Sequence, residues 1–147
     1  MFNPHRGGAV LLPSGPPKDV TRKHLFVLLT DPHGPGKRVL MAPICSVPKD
    51  TPYDDTCLIA AAEHPFIKHD SYVPYSRCRD ESVVDLQKHA ERGYLTEMDP
   101  ASAALLQRII AGLSKSKFAR PYARSFLRDF EALQKSQKAA PTKEKPA

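Results

Sequence analysis

Short apolar runs separated by turn-forming residues dominate the first half of the chain. Runs of this length, rich in β-branched and aliphatic residues and bounded by Pro, Gly and Asp, predict β-strands. The glycine-bearing turn before residue 38 predicts an antiparallel hairpin between the second and third runs. We therefore expect about five strands in a small curled sheet or barrel, over residues 8–12, 24–30, 38–44, 56–62 and 71–75.

The hydrophobic period changes from strand-like to helical after residue 80. Residues 81–92 place apolar side chains on one side of a short helix that Gly93 would end. A second helix is predicted from Asp99 as N-cap and Pro100 as first helical residue, with Leu and Ile at helical spacing to residue 113. Residues 122–136 carry a third helical pattern. The fold class is therefore α+β, mainly β, with two or three C-terminal helices.

The chain length and the low-complexity segments set the domain organisation. At 147 residues the chain is long enough for one domain with a hydrophobic core. We expect a folded domain over residues 1–116, a helical extension over 117–136 and a disordered basic tail over 137–147. The Pro- and Gly-containing segment 14–23, SGPPKDVTRK, is predicted to be a loop.

The charge and the cysteines narrow the function classes only slightly. The net charge is +6, but residues 117–147 hold eight Lys or Arg against three acids, so most of the excess lies in these C-terminal residues. Three cysteines without CxxC spacing predict buried thiols rather than disulfides or a metal site. There is no apolar run of about 18 residues and no signal-peptide pattern, so we expect a soluble, cytoplasmic protein.

Several sequence motifs occur in the same order as in a known protein family. Along the chain the segments are GGAVLL, TRKH, LFVLLT, VLMAPICS, CLIAAAEHPFIKHDSYV and GYLTEMDP. In this order and spacing, over residues 8–113, the sequence resembles the PemK/MazF family of toxins from toxin and antitoxin pairs. The resemblance implies an SH3-like β-barrel, usually a homodimer, that cleaves single-stranded RNA without a metal or other cofactor. It also implies a cognate antitoxin protein as partner.

The resemblance assigns catalytic positions residue by residue. Arg22 stands nearest to the family's catalytic Arg, with Lys23 as its competitor. The family's hydroxyl partner falls on Cys45, where Thr is usual, which leaves Ser46 as the nearest hydroxyl. This departure keeps a second hypothesis open, that of a non-catalytic SH3-like module that binds protein or nucleic acid through the same groove.

RNA cleavage through the ribose 2′-OH needs a base, a cation at the phosphate and a proton for the leaving oxygen. Histidine titrates near neutral pH, so His24, His64 and His69 are the candidate bases. We select His69 with Arg22 and Ser46 as the catalytic set. The alternatives are that His24 is a surface residue and that His64 caps a strand end. A metal site formed by His64, His69 and a cysteine has no recognisable spacing.

Further residues are predicted to bind the RNA around this catalytic set. Cations bind phosphates and aromatic rings stack on bases, although such residues are more often solvated charges or packing groups. The predicted RNA-binding residues are Lys23, His24, Lys68, Tyr72 and Arg77.

Overall fold

The computed structural model describes residues 1–13 and 22–139, which form a sheet followed by helices. The strands are β1 Ala9–Pro13, β2 Lys23–Leu28, β3 Arg38–Ser46, β4 Leu58–Ile59, β5 Ser71–Tyr72, β6 Arg79–Ser82 and β7 Thr96–Met98. The helices are α1 Val83–Glu91, α2 Ala103–Lys115 and α3 Pro121–Ala139. A single 3₁₀ turn, Tyr75–Arg77, lies between β5 and β6.

β3 is the central strand because it pairs along both of its edges. On one edge β2 pairs with residues 41–44. On the other edge β6 pairs with residues 38–41, and β5 pairs with Cys45 and Ser46. All of these pairs are antiparallel. Between β5 and β6 the chain leaves this edge, and Pro43, which has no N–H to donate to a ladder, lies opposite the interruption.

The expectation of a mainly β fold with C-terminal helices is confirmed. The strand order is β4-β5-β3-β2-β1-β7, with β6 beside β3. These pairings form an open path between β4 and β7, so the closed SH3-like barrel stays a prediction. In the part of the chain that the structure describes, no helix is long and apolar enough to cross a membrane.

Two strands were missed and two were predicted too long. β6 has the sequence RDES, which carries no apolar alternation, and it is held by its backbone pairing with β3. β7 is a three-residue strand that pairs with β1. β4 and β5 have two residues each instead of the predicted runs 56–62 and 71–75. After β4, Ala62 adopts a positive φ of 74° and donates its N–H to Ile67, so the chain turns away.

The predicted start of the second helix was wrong by several residues. α2 begins after Ser102, whose hydroxyl accepts a hydrogen bond from the N–H of Leu105 at 3.1 Å. Asp99 is not the N-cap, because its carbonyl instead accepts a hydrogen bond from the ring of His64. Both Asp99 and Ser102 are good capping residues, and sequence alone favours neither.

The side chains of the sheet divide between two hydrophobic clusters, one on each face. Alternation along β3 sends Leu40, Ala42 and Ile44 to one face and Val39 and Met41 to the other. The first cluster packs against α2 and α3, and we call this the α2 face. The second packs against Leu86 of α1, and we call this the α1 face.

The third helix packs on the core rather than extending away from it. Ala123, Leu127 and Phe130 of α3 are buried, and Ala123 and Leu127 belong to the cluster of the α2 face. The helix also continues to Ala139, so residues 137–139 are helical and not part of a disordered tail. The rest of the predicted tail, 140–147, and most of the predicted loop, residues 14–21, lie outside the described residues.

Residues near both ends of the described chain meet at α3. The ring of His33, in the β2–β3 turn, contacts Phe126 and Phe130 with centroid distances of 4.6 and 5.2 Å. The guanidinium of Arg6 lies 5.2 Å from the Phe130 ring centroid and donates a hydrogen bond to the side chain of Gln134 at 3.1 Å. These contacts clamp α3 against the N-terminal segment and the hairpin.

The closest packing in the core is between Tyr75 and α2. The buried Tyr75 hydroxyl donates a hydrogen bond to the carbonyl of Ile109 at 2.7 Å. Its ring passes so close to Gly112 that a Cβ there would meet the Tyr75 hydroxyl oxygen at 2.1 Å and the adjacent ring carbon at 2.7 Å. Gly112 is therefore required by this contact, because neither the buried ring nor the helix backbone has room to move.

Gly112→Ala is expected to lower the free energy of unfolding by about 1–3 kcal/mol, because the added methyl overpacks the core against Tyr75. Chemical denaturation monitored by circular dichroism measures the change. Ser114→Ala, two residues along on the exposed side of the same helix, is the control and should alter stability by less than about 0.5 kcal/mol. Equal stability of Gly112→Ala and the parent would contradict the packing described.

Candidate functional site

His24 and Cys45 face each other on the α1 face of the sheet. The β2–β3 register pairs Leu25 with Ile44, and the next pair outward along the strands is His24 with Cys45. Both side chains line one small hollow, which we call the basic groove. Its lining is His24, Phe26, Pro43, Cys45, Arg77 and Arg79.

Arg77 reaches the groove because the chain leaves the edge of β3 there. The 3₁₀ turn is closed by hydrogen bonds from the Arg77 N–H to Pro74 and from the Cys78 N–H to Tyr75. This turn buries Tyr75 on the α2 face and leaves Arg77 exposed. Within residues 1–13 and 22–139, the Arg77 side chain makes no ion pair, so its charge is available to an anion.

The groove keeps His24 neutral near physiological pH. Burial lowers the pKa of His24, and the positive charges of Arg22 and Arg77 lower it further. A neutral imidazole can accept a proton, whereas an imidazolium cannot. The surroundings of His24 therefore suit a general base.

The thiol of Cys45 is neutral as well. Burial raises the pKa of Cys45, and the charges of Arg77 and Arg22 oppose that shift without cancelling it. A protonated thiol is a weak hydrogen-bond donor and a poor nucleophile. Cys45 thus lines the groove with a small uncharged side chain, close to Arg77 and Arg22.

Arg22 and Lys23 lie at the beginning of β2, where both side chains are exposed. Arg22 is close enough to shift the pKa of both His24 and Cys45. Lys23 lines an adjacent hollow on the same face, together with Arg79. Among the residues that the structure describes, neither side chain forms an ion pair. Together with Arg77 and Arg79, they place four cations in and beside the basic groove.

Aromatic side chains extend the groove past Arg77. Tyr72 pairs with Cys45 across β5 and β3, so its ring lies on the α1 face. The ring of Tyr53 is 5.0 Å from that of Tyr72. Both rings line a second hollow that shares Arg77 with the basic groove. Burial raises the pKa of Tyr72, which therefore keeps its proton.

Ser46 lies on the opposite face of the sheet. It follows Cys45 on β3 and pairs with Ser71, and successive side chains of a strand point to opposite faces. Ser46, Lys68 and His69 line a separate hollow with Leu25, Ile44 and Phe66. We call this the Ser46 hollow.

The structure thus divides the predicted site residues into two groups. Arg22, His24, Tyr72 and Arg77 meet on the α1 face, with Lys23 beside them. Ser46, Lys68 and His69 meet on the α2 face. The predicted catalytic set of Arg22, Ser46 and His69 is therefore not brought together.

Arg79 was not predicted as a site residue from the sequence, and the prediction preferred His69 and Ser46 to His24 and Cys45. The signal for the last two was present, because residues 45 and 46 are adjacent on a predicted strand and must face opposite sides. Once Arg22 and Cys45 are assigned to one site, Ser46 is excluded from it. Arg79 could not be found in this way, because it belongs to β6, whose sequence has no alternation of apolar and polar residues.

His64 has a structural role. Its ring is buried, Nδ1 accepts a hydrogen bond from the N–H of Phe66 at 3.0 Å, and Nε2 donates to the carbonyl of Asp99 at 2.6 Å. Both ring nitrogens are therefore occupied by the backbone, as expected if His64 caps the end of a strand. Among the described residues, no group of three or more His, Cys, Asp and Glu side chains could hold a metal ion.

Comparison with known proteins shows a relation in fold. No protein-family model matches the sequence, and no curated protein matches it. A solved structure of MazE-MazF from Deinococcus radiodurans, Form-III, is similar with a TM-score of 0.51 and 17% identity, covering 78% of this chain and 95% of that chain. The Form-II structure gives a TM-score of 0.49, 16% identity and the same coverage. The match to the Form-III structure shows that the chain has a MazF-like fold.

We expect the pKa of His24 to rise in Arg77→Ala, because one of the two charges that disfavour the imidazolium is removed. Titration of the histidine ring signals by NMR measures the shift. Arg128→Ala, which removes an exposed arginine on α3, is the control and should leave the titration of His24 unchanged. An unchanged His24 titration in Arg77→Ala would show that Arg77 does not face this ring.

Proposed function

We propose that this protein is a toxin-like endoribonuclease that cleaves single-stranded RNA at the basic groove. The observation that carries the proposal is a neutral histidine, His24, close to Arg22 and Arg77, neither of which forms an ion pair among the described residues. A phosphodiester in the groove would supply an anionic partner for these two arginines. The MazF-like fold supports the proposal.

The proposed reaction uses groups that the groove provides. His24 takes the proton from the ribose 2′-OH, and this oxygen attacks the adjacent phosphorus. Arg22 and Arg77 stabilise the charge that gathers on the phosphoryl oxygens. The bond from phosphorus to the 5′-oxygen breaks, and water protonates the departing oxygen. The products are a 2′,3′-cyclic phosphate and a 5′-hydroxyl end, and no metal takes part in any step.

The aromatic hollow beside Arg77 provides a place for a base. The rings of Tyr53 and Tyr72 lie next to the groove, and stacking on such rings holds single-stranded bases without requiring one sequence. A base on Tyr72 would bring its neighbouring phosphate to Arg77. Double-stranded RNA, whose bases are already stacked on one another, would lose this contact.

The partners follow from the same likeness. The similar Form-III structure is one of MazE-MazF, which supports a cognate antitoxin for this chain as well. We propose that the antitoxin covers the basic groove, because acidic side chains would neutralise the same four cations. By the family resemblance, we further propose that the protein is a homodimer that acts in the cytoplasm.

Binding without cleavage is the second candidate function, and Cys45 favours it. The family resemblance places a Thr hydroxyl at this position, and a neutral thiol donates a much weaker hydrogen bond to a phosphoryl oxygen. A groove with four cations and two tyrosines would still bind single-stranded nucleic acid. The chain would then be a non-catalytic SH3-like module of the same ancestry.

Cleavage of a long single-stranded RNA in EDTA tests the proposal. His24→Ala is expected to slow cleavage by about 10²- to 10⁴-fold, the usual contribution of a general base. Arg22→Ala should also abolish most of the activity. Rates come from gel analysis of defined fragments, and end-group analysis should show 2′,3′-cyclic phosphates.

Ser46→Ala and His69→Ala are the matched controls for this assay, because both side chains line the Ser46 hollow on the other face. They should cleave at the rate of the parent. If they are inactive while His24→Ala is active, the site instead belongs to the α2 face, where Ser46 and His69 of the predicted catalytic set lie. Intact RNA with all variants, together with tight binding, would support the binding module.

Cys45→Thr restores the hydroxyl that the resemblance places beside the catalytic arginine. If the protein is a ribonuclease, this variant should cleave several-fold faster than the parent, because the hydroxyl donates a stronger hydrogen bond to the phosphoryl group. The rate at saturating RNA measures the effect. Ser46→Thr, which changes the neighbouring residue on the opposite face, is the control and should have no effect. A slower Cys45→Thr would contradict the assigned geometry.

A further inference from the structure

A second hollow on the α1 face lies next to the basic groove. It has a volume of about 480 Å³, and we call it the Tyr94 pocket. Its walls are the ends of β1 and β2 on one side and the end of α1 on the other. The residues used below are Leu12, Lys23, Arg79, His89 and Tyr94.

The end of α1 holds Tyr94 out of the core. Gly93 ends the helix with φ of 78°, and the N–H groups of Tyr94 and Leu95 both donate to the carbonyl of His89, at 2.8 and 3.1 Å. This turn buries Leu95 and leaves 54% of Tyr94 exposed. The ring is therefore a fixed aromatic wall that contributes little to the core.

Arg79 connects the Tyr94 pocket with the basic groove, because its side chain lines both. Its guanidinium carbon lies 4.9 Å from the centroid of the Phe26 ring, which fixes the plane of the guanidinium. The Nε–H of Arg79 is buried and has no hydrogen-bond partner among the described residues. Its nearest carboxylate oxygen, on Glu81, is 3.7 Å away, too long for a hydrogen bond.

The chemistry of the pocket fits a nucleotide. The side chain of Arg79 is 41% exposed and pairs only loosely with Glu81, and a phosphate binds a guanidinium through charge-assisted hydrogen bonds. Lys23 adds a second charge at the rim, and none of the residues that line the pocket in the described chain is acidic. Leu12 and Tyr94 provide an apolar floor and an aromatic wall of the kind on which a base stacks.

We propose that the Tyr94 pocket is a second base-binding site for the RNA strand whose reacting phosphate lies in the basic groove. A base stacks on Tyr94, and the phosphate between the two sites binds Arg79 and Lys23. This proposal rests on the proposed function, because it takes the bound strand to be the RNA that the protein cleaves. It extends the contact surface from Tyr72, through Arg77 and Arg79, to Tyr94.

Binding of single-stranded RNA oligonucleotides of two to eight residues tests this proposal. Each carries a 2′-O-methyl sugar at every position, so that no 2′-OH is available to attack the phosphorus and none can be cut. Affinity is measured by competition in fluorescence anisotropy at one salt concentration. For the parent protein we expect a step in affinity. The affinity should rise sharply once the oligonucleotide is long enough to reach the Tyr94 pocket from the basic groove.

Tyr94→Ala should remove this step, with a loss of about tenfold or more for the longest oligonucleotide. It should leave the affinity for the shortest unchanged. Tyr94→Phe keeps the ring and should retain the step, which separates stacking from loss of the hydroxyl. Circular dichroism should show that both variants are folded.

The outcomes separate the two proposals. If the parent shows the step but cuts no RNA, the pocket is supported and the ribonuclease proposal fails. If the parent cuts RNA and Tyr94→Ala binds every length as the parent does, the pocket is refuted while the function stands. If the parent neither cuts RNA nor binds any oligonucleotide, both proposals are overturned.

Discussion

The interrupted edge of β3 is the constraint on which the candidate site depends. β6 pairs with the first half of this strand and β5 with its last two residues, and the segment between them must leave the sheet. Pro43 lies at the interruption, where a missing N–H costs no ladder hydrogen bond. The displaced segment buries Tyr75 under α2 and carries Arg77 to the other face. A continuous strand here would place a side chain where the groove now opens.

The electrostatics of the groove follow from the same arrangement. Four cations gather on one face, while the acidic Asp54 at its margin is occupied by hydrogen bonds from Ser116 and Thr56 at 2.6 and 2.5 Å. Burial would raise the pKa of Asp54, but these hydrogen bonds hold it below its ordinary value. The carboxylate is thus used to join the loop after β3 to the α2–α3 junction. Arg79 pairs loosely with Glu81, and among the described residues no carboxylate forms an ion pair with Arg22 or Arg77.

The fold was more predictable from sequence than the site. Apolar runs located β1, β2 and β3, and helical spacing located α2 and α3, because burial imposes a period on each element. β6 escaped because its RDES sequence is held by backbone pairing alone. The site requires knowing which strands are neighbours, and a one-residue error then reverses the face, as it does for Ser46 and Cys45. Arg79 could not be placed at all without β6.

The clamp on α3 has a consequence for the time at which the protein completes its fold. Arg6 and Gln134 are 128 residues apart, and their contact joins the first described segment to the last helix. Contacts at such separation form slowly, because closing so long a loop costs conformational entropy. During synthesis, the sheet residues emerge well before α3 exists to cover the α2 face. The nascent chain therefore passes through a stage with an exposed apolar surface, and a chaperone or an early-binding partner would meet it there.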